Sequence, residues 1–76
     1  MKRLLVLAGN SNQFKSFCHN LNENYKPIFL SSVNMVYGIA NEEYITYGTW
    51  YKRHDSQNIL EYLELHNCKK KYINNG

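Results

Sequence analysis

The sequence predicts an α/β fold, a three-layer sandwich in which a three-stranded parallel sheet of order 2-1-3 carries flanking helices. Three observations lead there. Residues 2–8 form an apolar run without alternation, as in a strand covered on both faces. Two stretches repeat apolar residues at helical spacing, and short β-branched and aromatic segments alternate with them. At 76 residues, 43% of them hydrophobic and 20% charged, the chain has material for one core and none for a second.

The first strand is residues 2–8, KRLLVLA, and as the most apolar segment it belongs in the middle of the sheet. Gly9, Asn10, Ser11 and Asn12 follow, residues that turn the chain or cap a helix. Phe14, Phe17, Cys18 and Leu21 then stand at i, i+3, i+4 and i+7, an amphipathic helix that Asn22, Glu23 and Asn24 terminate. Pro27 fits the first position of a strand, where its missing N–H costs least, and Ile28, Phe29 and Leu30 continue it to Ser31 and Ser32.

Val33, Val36 and Tyr37 predict one or two helical turns before Gly38. Residues 43–49, EYITYGT, suit a third strand at a sheet edge. A loop of Trp50, Tyr51, Lys52, Arg53 and His54 reaches Asp55 or Ser56 as N-cap, and Ile59, Leu60 and Leu63 mark a helix to about Cys68. Alternating strands and helices require right-handed crossovers, so the whole reads as a minimal Rossmann-like unit over residues 1–68. Residues 69–76 form a basic, flexible tail.

Charge and cysteine content narrow the function. The formal net charge is +3, but Lys69, Lys70 and Lys71 supply it, as befits the negative end of a helix dipole. Without aromatic and basic residues interleaved, nucleic acid is the weaker partner. Cys18 and Cys68 lie on apolar helical stripes with no CxxC spacing, so two free thiols in a reducing, cytoplasmic setting are expected. The apolar run ends at Gly9 without a cleavage motif and is far shorter than the roughly 18 residues that span a bilayer, so no membrane association is expected.

Ligands of open parallel sheets bind beyond the carboxyl ends of the strands, where strand order reverses. The candidate ligand-binding residues there are Gly9, Asn10, Ser11, Asn12, Gln13, Ser31, Ser32, Thr49, Trp50, Tyr51 and Arg53. The first five are a glycine turn into a helix N-terminus. That arrangement favours a phosphate or carboxylate, and equally a simple turn and cap. Neither a Walker A loop nor GxGxxG is present. Trp50 and Tyr51 beside Lys52 and Arg53 suit base stacking with phosphate neutralisation, or packing and a protein interface. His54 and Asp55 are neighbours in sequence but no dyad, Glu42 and Glu43 precede a strand at the opposite end, and His19 and His66 lack an i+4 ligand partner. No catalytic pair, metal site or cofactor is expected.

The segments VLAGNSNQFKSFC, IFLSS and YGTWYKRHDSQNILEYL together resemble a set of small phage- and prophage-encoded accessory proteins. The matching positions are Gly9, Asn10, Gln13, Phe14, Ser31, Ser32, Gly48, Thr49, Trp50, Tyr51 and Arg53. The resemblance implies a compact Rossmann-like fold and a role in the contest between phage and host. VNMVYGIA lacks the charges of an exposed helix, which points to a surface covered by a partner or a second copy. With open sheet edges, this favours a homo-oligomer.

The leading expectation is a non-catalytic binding module that holds a nucleotide or another phosphate-bearing small molecule at the strand ends, a host signalling nucleotide being one candidate in counter-defence. The alternative is a small inhibitor that covers a host protein through loop 50–53, since Trp, Tyr and Arg are common hot-spot residues. Nucleic-acid binding through Lys69, Lys70 and Lys71, and a vestigial phosphohydrolase, are further readings.

Overall fold

The computed structural model describes residues 2–21 and 24–71. The expected helix stop at Asn22 and Glu23, and residues 72–76 of the expected tail, lie outside these. The element order is β1 (Lys2–Ala8), α1 (Ser11–Asn20), β2 (Tyr25–Phe29), a first 3-10 turn (Val33–Val36), β3 (Glu43–Tyr47), a second 3-10 turn (Trp50–Lys52), α2 (Ser56–Leu65) and β4 (Lys69–Lys70). The strands form one parallel sheet in the order β2-β1-β3-β4. The expected 2-1-3 core is present, and the count of three strands is corrected to four.

The fourth strand comes from residues assigned to the tail. Its ladder is short: the Lys69 and Lys71 amides donate to the Glu42 and Tyr44 carbonyls at 2.9 and 2.7 Å. Two lysines have no apolar pattern that would announce a strand; their backbone pairs with β3. As a consequence β3, expected at an edge, is an interior strand. Its register against β1 runs from Leu4 opposite Glu43 to Ala8 opposite Tyr47.

Alternation along β1 builds the two cores. Leu4, Val6 and Ala8 face α1 with Phe17 and Ile45, whereas Leu5 and Leu7 face α2 with Leu30, Val36, Ile59 and Leu63. All five of these β1 residues are fully buried. Covering both faces is what makes the strand uniformly apolar, and removing one such side chain costs about 2–5 kcal/mol. No helix among the described residues is long and apolar enough to cross a membrane.

Pro27 stands in the middle of β2 rather than at its start. The Leu30 amide donates to Val6 at 2.9 Å, so even-numbered residues face β1 and the Pro27 nitrogen points to the open edge, where the ladder loses nothing. The expected helical turn at Val33 is a 3-10 turn closed by Gly38 at φ 88°. Cys68 does not extend the last helix. α2 ends at Leu65, Asn67 takes φ 62°, and Cys68 is buried in the connection to β4. Cys18 and Cys68 are both free thiols.

Candidate functional site

The carboxyl ends of β1, β2 and β3 meet at two side chains, Gln13 and Arg53. α1 begins at Ser11, three residues before Phe14 opens its apolar pattern, because the Asn10 side chain accepts from the Gln13 amide at 2.9 Å and is the N-cap. Ser11 and Asn12, also candidates for the cap, lie exposed in the first turn.

This cap aims the Gln13 side chain back over the end of the sheet. Its Oε1 accepts from both the Gly9 and the Thr49 amides at 2.9 Å, and its Nε2 donates to Thr49 Oγ1 at 3.0 Å. Two backbone N–H groups thus converge on one oxygen, the arrangement expected around an anion, with the carboxamide of the chain itself in that place. The same side chain explains two glycines. A Cβ on Gly9 would run into Thr49 Oγ1 and Gln13 Oε1, and one on Gly48 into Gln13 Oε1. Gly48 also has φ 65°, which a side chain disfavours.

Arg53 closes the other half. Its Nη1 donates to the Ala8 carbonyl at 2.8 Å and the Leu30 carbonyl at 2.7 Å, at the ends of β1 and β2. Its Nε and Nη2 donate to the two oxygens of Asp55 at 2.9 and 2.8 Å, and the guanidinium lies 5.9 Å from the centre of the Phe29 ring. With a side chain only 12% exposed, Arg53 directs four of its five N–H donors at protein acceptors. Asp55 precedes α2 without capping it through its side chain, since both oxygens face Arg53. Ser56 Oγ donates to the Arg53 carbonyl at 3.0 Å and fixes the turn.

The remaining candidates separate. Ser31 is exposed, and its hydroxyl and amide both reach the Met35 sulphur, at 2.9 and 3.3 Å. Ser32 precedes the first 3-10 turn without a side-chain cap bond. Trp50 is half-buried against the α2-side core, with the Lys70 ammonium 6.0 Å from its ring. Tyr51 stands edge-on to Trp50 at 5.9 Å and is 62% exposed, beside the exposed Lys52 and His54. Geometry therefore joins Gly9, Asn10, Gln13 and Thr49 in one cluster, centres a second on Arg53, and leaves Tyr51 outside both.

Sequence reasoning missed Asp55 as the partner of Arg53, although an acid two residues after an arginine in a turn was a readable signal. It also missed a groove between the first 3-10 turn and α2, lined by Val33, Tyr37, Asn58, Glu61, Tyr62 and Leu65. Tyr62 shapes it by accepting the Gly38 amide on its hydroxyl at 2.9 Å and by ring contacts to Tyr37 at 5.5 Å and His66 at 4.0 Å. Among the described residues, no three His, Cys, Asp or Glu side chains group to hold a metal ion. No family model, curated protein or solved structure matches the chain.

Proposed function

We propose that the protein is a non-catalytic interaction module that recognises a protein surface through the second 3-10 turn, with Tyr51 as anchor and Lys52 as its charged neighbour. The observation that carries this reading is the engagement of Arg53. A guanidinium holding Ala8, Leu30 and Asp55 has one N–H left for a phosphate, whereas Tyr51, two residues away, is 62% exposed. Large aromatic rings displayed on a rigid support are effective anchors, because little conformational freedom is lost when they bind. The surface that fits such an anchor has an apolar recess for the ring and a carboxylate for Lys52. In keeping with the resemblance to phage accessory proteins, a host protein is one source of such a surface.

The nucleotide reading retains one specific support, the convergence of the Gly9 and Thr49 amides. A phosphate would occupy that position after Gln13 swings away, and it would replace the Gln13 carbonyl as acceptor. The two readings separate in one experiment. A photo-reactive phenylalanine analogue at position 51 is expected to form protein adducts, while native mass spectrometry against a nucleotide panel finds nothing retained. A nucleotide bound in simple ratio, with shifted Gly9 and Thr49 amide resonances, would reverse the order.

A further inference from the structure

The groove between the first 3-10 turn and α2 has the features that the Tyr51 anchor calls for. Its floor is Val33, Tyr37, Tyr62 and Leu65, and its volume is about 270 Å³. That is below the roughly 300–1,000 Å³ of clefts that enclose small molecules, and it suits an inserted side chain. Two of the lining residues, Tyr37 and Leu65, are 61% and 80% exposed, and Met35 in the same 3-10 turn is 40% exposed, apolar surface that a solitary small domain rarely displays together.

Charge indicates the occupant. The chain carries +3 overall, yet residues 27–41 contain no charged side chain, and α2 contains only Glu61 and Glu64, both exposed. An apolar lining with one carboxylate beside it, Glu61, takes an aromatic or aliphatic group adjacent to a cation. The chain displays such a pair itself, the exposed Tyr51 beside the exposed Lys52. The second 3-10 turn lies directly before α2, and the groove reaches the last residue of α2, Leu65. Two α2 helices laid antiparallel about a twofold axis therefore bring each copy's turn to the other's groove, and both contacts form in one closed dimer.

We propose that this groove is the interface for a second copy of the chain, taking Tyr51 of the partner subunit against its apolar lining and Lys52 of the partner subunit at Glu61. This rests on the reading of Tyr51 as a protein anchor and names its partner.

Sedimentation of the whole chain, from micromolar to about 1 mM protein, tests the proposal at the weak end of measurable affinities. The wild type is expected to pass from monomer to dimer mass. Tyr51→Ala and Leu65→Asp, both at exposed positions, are each expected to weaken the dimer by about tenfold or more. Lys52→Glu is expected to weaken it as well, and combining Lys52→Glu with Glu61→Lys to restore part of the loss. A wild type that stays monomeric overturns the proposal, as does a dimer indifferent to both Tyr51→Ala and Leu65→Asp. Position 51 cross-linking then separates the two ideas. A monomer that still forms adducts to another protein retains the anchor and loses the second copy, whereas a monomer without adducts loses both.

Discussion

Arg53 and Tyr51 stand two residues apart in one loop, and their surroundings are opposite. Arg53 is turned inward, its guanidinium tying the ends of two strands to the residue before α2. Tyr51 is turned outward, with only Trp50 as a ring partner among the described residues. The same inward use describes Gln13, whose carboxamide holds Gly9 and Thr49. At the carboxyl ends of a parallel sheet, polar and charged residues therefore serve the fold as readily as a ligand. The distinction lies in how many of their donors already have acceptors.

The largest effect that would break this comparison comes from Arg53. Arg53→Met removes the donors from the Ala8 and Leu30 carbonyls and leaves Asp55 without its partner, so a loss of about 3–5 kcal/mol is expected. In a chain of this length, whose whole stability is about 4–11 kcal/mol, that is a major fraction. Urea titration checks it, and a change under about 1 kcal/mol would mean that Arg53 is available for a ligand after all.

Gln13→Ala comes next. It removes three hydrogen bonds to partly buried groups and should cost about 1.5–3 kcal/mol by the same titration. Gly48→Ala sharpens the point, because it introduces both an unfavourable φ and a clash with Gln13, and about 2 kcal/mol is expected. Combined with Gln13→Ala, it should cost less than the sum of the two, since the clash then has no partner. Strict additivity would remove Gln13 as the reason for glycine at position 48.

The smallest effect concerns Cys18. Partial burial raises its thiol pKa above the ordinary value, so less thiolate is present at neutral pH. Alkylation followed by mass spectrometry should label Cys18 more slowly than an unstructured thiol, and the two rates should converge in denaturant. Tyr51→Ala in the same titrations should leave stability within about 0.5 kcal/mol, as for other exposed positions.

The architecture was legible where hydrophobic patterning is uniform. The doubly buried β1 and the stripe of Phe14, Phe17 and Cys18 fixed the central strand and the first helix from composition and spacing alone. Lys69 and Lys70 were not legible as a strand, because their pairing uses backbone atoms that any residue possesses. The candidate site was legible as a location, whereas the contacts inside it were not. Asn10 belongs to the cap it was read as forming with its neighbours, yet the Gln13 clasp joins positions 36 apart and leaves no local trace. Arg53 was placed at the strand ends correctly, while its acceptors are carbonyls of Ala8 and Leu30, which have no side-chain signature.

Pro27 leaves the outer edge of β2 without a donor at its midpoint. Sheets grow into fibrils when an incoming strand docks on an open edge and completes a continuous row of hydrogen bonds. On the outer edge of β2, the outward positions are Tyr25, Pro27 and Phe29, and the central one offers no hydrogen to an incoming carbonyl. A strand added there would be interrupted at its midpoint, a blunting that natural edges commonly use. Replacing Pro27 with valine would supply the missing donor and turn a guarded margin into a template, with thioflavin fluorescence on prolonged incubation as its visible sign.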